Sequence, residues 1–364
     1  MHFGGQLLIF SSIMSSAKPD KIEIIRPDDF HLHLRDADAL RAIIGHSANH
    51  FARAIVMPNL REPVTTTDKA ISYKKRILEQ IPEGVRFEPL MTLYLTDNTS
   101  AAEIKKARDS GVVFGIKLYP QGATTNSDEG VSDLSKCMKA LEAIERHGLP
   151  LLVHGEVVDP AVDVFDREKR FIDDVLIPLR RSMPGLRIVF EHLTTREAVQ
   201  YVLADDGPVA ATITAHHLLF SRNALFAGGL NPHNYCLPIL KTEEDRQELV
   251  KAATSGDARF FLGTDSAPHP RHLKERAFGN AGVYTAPHAL SLYARVFDEA
   301  GALDRLEAFS SVNGALFYGL EPVTDKITLI RRPWQVPAEF EFGDDVLIPF
   351  MAGQMLEWQI QQGN

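Results

Sequence analysis

Eight short segments rich in β-branched and large apolar residues alternate along this chain with longer segments that have the apolar period of amphipathic helices. The strand-like segments are 22–25 leading into Phe30, 54–57, 87–93, 112–118, 151–153, 188–190, 209–213 and 260–262. Helical patterns between them cover 68–80, 100–110, 132–147, 167–182, 195–204 and 242–254. Alternation of this kind predicts an α/β protein with a parallel sheet. Eight repeats favour a closed (β/α)8 barrel over a doubly wound sheet, because no glycine-rich nucleotide fingerprint follows the first strand.

The pattern divides the chain into three parts. We expect residues 1–20 to be a poorly ordered leader, 21–322 to form the barrel, and 323–364 to be a C-terminal extension packed on it. The apolar run 7–14 is too short to span a bilayer and lacks the basic flank and small-residue cleavage site of a secretory signal. Further helical patterns near 287–300 and 304–311 follow the eighth strand, and strand-like pieces occur at 346–351 and 355–360.

Charge and cysteine content narrow the classes of partner. The formal net charge is -9, so the chain has no basic footprint for nucleic acid or an anionic membrane, and a small-molecule substrate is the better expectation. Cys137 and Cys236 are the two cysteines and form no CxxC, which argues against a disulfide framework and against a thiolate zinc site. We therefore expect a cytoplasmic protein.

Polar residues gather where the predicted strands end, which is where barrel enzymes keep their active sites. The residues at these ends are His31, His33, Arg35, Asn59, Lys117, His154, His192, Asp265 and His269. Side chains alternate along an extended segment, so His31, His33 and Arg35 share one face. Imidazole and carboxylate groups without thiolates suit zinc or a similar divalent ion with a position left open for water.

Lys117 makes two metal ions more plausible than one. An ammonium group beside a divalent cation would be repelled, and burial within a strand already disfavours the charged form of lysine. Its charge must therefore change when the metal binds.

Six motifs, in order HLHLRD, VMPN, KLYP, LLVHGE, FEHLTT and GTDSAPH, resemble the amidohydrolase superfamily and, within it, the short bacterial-type dihydroorotases. The resemblance extends over nearly the whole chain from Lys21 onward. It implies that Lys117 reacts with CO2 to form a carbamate that bridges two zinc ions. One zinc would be held by His31, His33, Lys117 and Asp265, and the other by Lys117, His154 and His192. Asp265 would also act as general base and then general acid.

The same resemblance implies reversible closure of N-carbamoyl-L-aspartate to L-dihydroorotate, a step of pyrimidine biosynthesis. By analogy, Arg35, Asn59 and His269 would grip the substrate carboxylate, because a planar guanidinium suits such a group. Backbone groups at Leu237 and Ala281 would contact the ring and the carboxylate. Thr124 and Thr125, on the loop 121–127, would close over the substrate. A homodimer is also expected from the resemblance.

Two other functions stay open. The first is another cyclic amidohydrolase, such as a hydantoinase, dihydropyrimidinase or allantoinase, although Arg35 and Asn59 favour a ring that carries a carboxylate. Such relatives typically add a β-sandwich built from both termini, whereas barely ten residues of matching sequence precede His31. The second is a metal-free scaffold, which would normally have lost ligands that this chain keeps. His216 and His217 follow the seventh strand, and we interpret them as structural.

Overall fold

The computed structural model describes residues 19–361. Most of the expected leader, residues 1–18, lies outside this range, as do residues 362–364. Among the described residues, no helix has both the length and the apolar character needed to cross a bilayer.

Eight parallel strands form the centre of the molecule, and each pairs with the next along the chain. After β1, Lys21–Ile25, the barrel strands are β2 Asp28–Leu32, β3 Arg53–Val56, β4 Glu88–Tyr94, β5 Val113–Leu118, β6 Leu151–His154, β7 Ile188–Glu191, β8 Val209–Ile213 and β9 Phe260–Leu262. Just beyond β9, Ser266 forms a parallel β-bridge with Leu32, the last residue of β2. The bridge brings the last barrel strand, β9, beside the first barrel strand, β2. The predicted (β/α)8 barrel is therefore confirmed.

Helices follow the strands as predicted, and several start at a side chain that caps their first turn. The helices are α1 Ala37–Ala48, α2 Thr67–Leu78, α3 Ala101–Asp109, α4 Met138–His147, α5 Arg167–Phe171, α6 Ile177–Ser182, α7 Arg196–Ala204, α8 Ala215–Leu219, α9 Glu243–Ala253, α10 Arg271–Lys274, α11 Ala289–Glu299 and α12 Asn313–Phe317. Thr66, Ser100, Thr195 and Thr242 each accept a hydrogen bond from a backbone N–H of the first turn. A π-helical turn, Ile172–Leu176, joins α5 to α6.

The barrel interior is packed rather than open. Phe30, Leu152, Val189 and Phe261 are fully buried in one apolar cluster that includes buried residues of seven barrel strands. Tyr318, just after α12, stacks on Phe30 with ring centroids 5.3 Å apart. Since apolar side chains fill the interior, a binding cleft must lie at the barrel mouth.

The first predicted strand is wrong in one respect, because the structure divides it in two. Only β2 joins the barrel, whereas β1 pairs antiparallel with β10, Lys326–Gln335. Pro27 stands between β1 and β2 and lacks the N–H that a continuous ladder would need.

The C-terminal residues build a small sheet and a hairpin. β10 also pairs with β13, Met355–Ile360, which gives a three-stranded sheet in the order β1-β10-β13. β11, Phe340–Phe342, and β12, Asp345–Leu347, form the hairpin. Strand β13 lies against α11, and its Trp358 is fully buried. The extension thus contacts the barrel helices and shares its sheet with a segment that precedes the barrel.

A buried carboxylate fixes the loop between β7 and α7. Glu168 of α5 accepts hydrogen bonds from the backbone N–H and the hydroxyl of both Thr194 and Thr195, at donor–acceptor distances of 2.6–3.0 Å. This loop begins at His192, so α5 helps to set the position of a predicted metal ligand.

Replacing Glu168 with alanine should destabilise the protein strongly. Glu168→Ala would leave two buried amides and two hydroxyls without their acceptor, and we expect a loss of about 3 kcal/mol or more in the free energy of unfolding. Urea denaturation measures it. Glu142→Ala, at an exposed glutamate of α4, is the control and should change stability by less than about 0.5 kcal/mol. Equal midpoints for the two variants would contradict the assigned role.

Candidate metal centre and substrate cleft

The first group of predicted ligands meets where the barrel closes. The Nε2 atoms of His31 and His33 lie 3.3 Å apart, and Asp265 Oδ1 lies 3.3 Å from the first and 3.0 Å from the second. Ligand atoms about 2.0–2.1 Å from a tetrahedral zinc ion are separated by roughly 3.3 Å. The three donors therefore have the spacing that one zinc ion requires.

Asp29 aligns these donors, and its role was not predicted. Its carboxylate accepts hydrogen bonds from the backbone N–H and the hydroxyl of Thr264, at 2.9 and 2.6 Å, and from the backbone N–H of His31 at 3.1 Å. Burial raises the pKa of Asp29 to about 7, although these bonds oppose the shift. The residue joins the strand that bears His31 to the segment that bears Asp265.

His154 and His192 lie beside the first group. Their ring centroids are 4.9 Å apart, and that of His192 is 5.0 Å from that of His31. His192 Nδ1 is buried and has no hydrogen-bond partner among residues 19–361, as expected of an atom that binds a ligand. One ligand atom each from His31, His192 and Asp265 falls within 4.8 Å of the others. His154 Nε2 contacts Glu156 Oε2 at 2.9 Å.

Lys117 is fully buried between these groups and forms an ion pair with Glu191. Burial lowers the pKa of the Lys117 ammonium, although Glu191 opposes the shift. Burial alone would lower the pKa of His31 as well, but the carboxylates of Glu191 and Asp265 outweigh it and raise that pKa to about 9. The carboxylates thus favour the protonated form of His31, whereas burial disfavours the charged form of Lys117.

Glu191 is a second residue that the sequence analysis missed. Its Oε1 lies 3.1 Å from His31 Nδ1, so one carboxylate touches a predicted metal ligand on each side. Its position in the sequence could have indicated this role, because Glu191 lies in the motif FEHLTT two residues after Val189. The side chain of Val189 packs inside the barrel. Strand alternation directs Glu191 to the same interior.

Backbone strain marks three of the site residues. Arg35, His192 and Asp265 have φ angles of 56°, 42° and 44°, in the left-handed region that non-glycine residues rarely adopt. Such strain clusters at functional sites, where the surrounding structure holds it.

All seven predicted substrate residues line one cleft at the barrel mouth. They are Arg35, Asn59, Thr124, Thr125, Leu237, His269 and Ala281. His31, His33, His154, His192 and Asp265 line the same cleft, whereas Lys117 is buried next to the lining residue Tyr119. The structure therefore brings together every residue that the sequence placed at the site.

Positive charge lies at one side of this cleft. Arg35 Nη2 and His269 Nε2 are 3.1 Å apart, and Arg35 Nε donates to the carbonyl of Pro268 at 3.1 Å. Burial, followed by the nearby Arg35, keeps the pKa of His269 well below its usual value. A neutral imidazole beside a guanidinium can bind one end of an anionic ligand.

The loop 121–127 lies over the cleft. Asn59 Nδ2 donates to the carbonyl of Thr125 at 3.1 Å, and Asn126 Nδ2 donates to the carbonyl of Asn59 at 3.0 Å. Across the cleft, Thr125 Oγ1 lies 3.5 Å from the carbonyl of Ala281. The loop thus spans from the end of β3 to the opposite wall.

His216, His217 and Cys236 form another buried group with metal-ligand spacing. Both ring nitrogens of His217 already have partners, Thr214 Oγ1 at 2.7 Å and the carbonyl of Pro238 at 3.0 Å. These bonds support the structural interpretation of His217, since no metal is needed to satisfy its ring.

Known proteins match this chain over nearly its full length. The amidohydrolase family matches residues 24–349. A dihydroorotase of Cupriavidus taiwanensis is 62% identical over 339 residues, which cover 93% of this chain and 98% of that protein. The chain belongs to the dihydroorotases of the amidohydrolase family. It is accordingly a cyclic amidohydrolase, and its family implies a metal centre.

Solved structures agree with this assignment. Dihydroorotase from Campylobacter jejuni superposes with a TM-score of 0.86 at 36% identity, covering 95% of this chain and 99% of that one. The Saccharomyces cerevisiae dihydroorotase in complex with 5-fluoroorotic acid has a TM-score of 0.86 at 34% identity, with 94% and 99% covered. An L-hydantoinase from Arthrobacter aurescens, at 17% identity and a TM-score of 0.78, shares the fold alone, with 93% and 83% covered.

Removing one donor should weaken metal binding at this centre. We expect His33→Asn to lower zinc affinity by about 10- to 100-fold or more, because the triad of His31, His33 and Asp265 loses a ligand. Competition with a zinc-binding dye measures the affinity. His272→Asn, at a histidine whose side chain is 64% exposed, should bind zinc like the unmodified protein. Unchanged affinity in His33→Asn would exclude the triad as a metal site.

Proposed function

We propose that this chain catalyses the reversible ring closure of N-carbamoyl-L-aspartate to L-dihydroorotate in pyrimidine (UMP) biosynthesis. The observation that carries the proposal is the juxtaposition in one cleft of the His31–His33–Asp265 donor triad with the Arg35–His269 pair. The triad suits a metal-assisted attack on an amide. The pair suits a substrate that bears a carboxylate.

The proposed metal content is two zinc ions per chain. His31, His33 and Asp265 would hold one and His154 and His192 the other, with Lys117 shared between them. When bound, the two ions would polarise the amide carbonyl and make water a stronger nucleophile at neutral pH. The donor spacing of the triad and the unpartnered Nδ1 of His192 support this assignment.

We propose further that Lys117 carries a CO2-derived carbamate. A carbamate nitrogen keeps one N–H, so the modified side chain can still donate to Glu191. Two zinc ions with one carbamate, one aspartate and one hydroxide would leave a net charge of about +1, which the buried carboxylate of Glu191 would offset. Attraction of the anionic substrate would therefore depend on Arg35 rather than on the metals alone.

Carboxylation of Lys117 has a direct test. Native mass spectrometry of the zinc-loaded protein in bicarbonate buffer should show the added mass of CO2, because burial favours a neutral lysine that can react. Lys117→Ala should lack the added mass, and Lys75→Ala, at a lysine whose side chain is 78% exposed, should keep it. An unmodified Lys117 in fully active protein would rule the carbamate out.

Arg35, Asn59 and His269 are proposed to bind the substrate carboxylate, with backbone groups of Leu237 and Ala281 completing the contacts. Thr124 and Thr125 would cover the bound molecule, because their loop already lies over the cleft. The guanidinium of Arg35 is anchored by Pro268 and so presents its free edge in a fixed direction.

Asp265 is proposed to move the proton. In the hydrolytic direction its carboxylate would take a proton from the attacking water and deliver it to the ring nitrogen that leaves. Burial would raise the pKa of Asp265, but His31 and His33 outweigh it and hold that pKa well below its usual value. The carboxylate is thus ionised and ready to accept.

Substitution of Asp265 and Arg35 should separate turnover from binding. Asp265→Asn keeps an oxygen at the centre but cannot carry the proton, and we expect kcat for dihydroorotate to fall by about 10³-fold. Arg35→Lys loses the planar fork, and KM should rise about 10- to 100-fold with a smaller change in kcat. Arg61→Lys, at a nearby exposed arginine, is the control.

Steady-state assays on dihydroorotate, hydantoin, dihydrouracil and allantoin, with zinc measured in the same samples, test the function itself. Preferred turnover of hydantoin or allantoin would support the alternative, another cyclic amidohydrolase. Near-normal kcat in Asp265→Asn would remove the proposed proton transfer.

Three further properties remain proposals. They are a homodimeric state, a cytoplasmic location, and a division into a leader at 1–20, a barrel unit at 21–322 that would include β1 although this strand pairs with the extension, and an extension at 323–364. The family resemblance supports the dimer, and two free, buried cysteines are compatible with a reducing compartment.

A further inference from the structure

Lys274 is a buried lysine that the proposed reaction does not use. It ends α10, and it is 3% exposed. Its Nζ donates to three backbone carbonyls: Tyr235 at 2.9 Å, Asn280 at 2.9 Å and Gly282 at 2.6 Å. An ammonium group has three N–H donors, so all of them are used.

The three carbonyls belong to the two loops that face the substrate cleft. Tyr235 precedes Leu237 by two residues, and Asn280 and Gly282 flank Ala281. The loops are also joined directly, because the N–H of Gly282 donates to the carbonyl of Tyr235 at 2.9 Å. The ammonium therefore ties together the two walls that supply Leu237 and Ala281.

The same lysine is linked to the carboxylate-binding side of the cleft. Asn280, whose carbonyl binds Lys274, lies with its Nδ2 3.2 Å from His269 Nδ1. His269 Nε2 in turn lies 3.1 Å from Arg35 Nη2. A continuous series of contacts thus runs from Lys274 through Asn280 and His269 to Arg35.

A purely structural lysine would not need this arrangement. Burying an ammonium group is costly unless strong acceptors compensate. Within residues 19–361, Lys274 forms no ion pair with a carboxylate, and its acceptors are the three loop carbonyls. A methionine could fill the same space without that cost, but it could not connect the loops.

We propose that Lys274 is a positioning residue for the substrate, whose ammonium holds the loops at 235–238 and 280–282 in the arrangement that presents Leu237 and Ala281 to the cleft. The inference deepens the proposed function and rests on it for the identity of the substrate. Lys274 itself does not line the cleft.

The charge of Lys274 should be lost in a narrow pH range. Burial lowers its pKa to about 8, with Cys236 opposing the shift. Among the groups that face it, burial raises the pKa of Tyr235, raises that of Cys236 to about 12, and keeps those of His216 and His269 below their usual values. Glu275 and Arg276, the charged residues that follow at the end of α10, contact His233 and Asn280 instead.

The pH dependence follows from these groups. Below about pH 8 the ammonium binds all three carbonyls. Above about pH 8 the neutral amine has no charge and one N–H donor fewer, so it holds the two loops less firmly. The KM for dihydroorotate should therefore rise. This measurement needs no substitution and uses the zinc-loaded protein, so it remains available if a variant does not fold.

Lys274→Met tests the role directly. We expect KM for dihydroorotate to rise about 10- to 100-fold, kcat to change less than about 3-fold, and zinc content to stay the same. The rise of KM above pH 8 should disappear. Hydrogen exchange of the peptides containing 235–238 and 280–282 should be faster in the variant. Lys75→Met, at an exposed lysine of α2, should match the unmodified protein in every measurement.

Each outcome decides the question. Unchanged exchange in both loops, or an unchanged KM, would overturn the inference. A fall in zinc content together with an equal fall in kcat would also overturn it, because both changes would indicate general damage to the site. If the unmodified protein does not turn over dihydroorotate, the proposed function fails, whereas the exchange measurement still tests whether Lys274 holds the loops.

Discussion

Closure of the barrel between its first and last strands is the constraint on which the site depends. Asp29 precedes Thr264 by 235 positions, yet its buried carboxylate binds both the backbone N–H and the hydroxyl of that residue. The backbone N–H of Asp265 donates to the carbonyl of His31 at 2.9 Å, next to the same contact. The bonds that close the sheet thereby also set the distances among His31, His33 and Asp265. The three donor atoms are thereby held 3.0–3.3 Å apart, the spacing that one zinc ion would require.

Closure of the barrel also places several ionisable side chains close together in a buried region, where unpaired charges are unfavourable. Lys117, Glu191, Asp265 and His31 are all buried, Lys117 pairs with Glu191, and the two carboxylates raise the pKa of His31 to about 9. A bound metal ion would supply further positive charge beside these carboxylates. Burying the charged groups costs stability, which the apolar packing of the barrel interior around rings such as that of Phe30 offsets. Groups held on the strands of a rigid scaffold keep the geometry of a binding site more precisely than groups on loops.

Features that are periodic in the sequence or lie within a motif could be predicted. Features that depend on contacts between residues far apart in the sequence could not. Eight strands, the capped helices and every proposed ligand could be located, because strand ends are recognisable and meet at one end of a barrel. The division of the first strand depends on Pro27 and on the pairing of β1 with the distant β10. Asp29, Glu191 and Lys274 look like ordinary charged residues in the sequence. Their importance follows from burial and from partners that only the folded chain brings near.

Different contacts hold the proposed metal donors and the loop over the cleft. The proposed donors lie on strands or directly after them, whereas the loop 121–127 is attached by hydrogen bonds to Asn59 and a weak contact to Ala281. The loop is also held by the Tyr94 hydroxyl, which donates to the carbonyl of Asn126 at 3.3 Å. None of these contacts involves a proposed metal donor. Substrate exchange and metal retention can therefore be governed by different parts of the same barrel mouth.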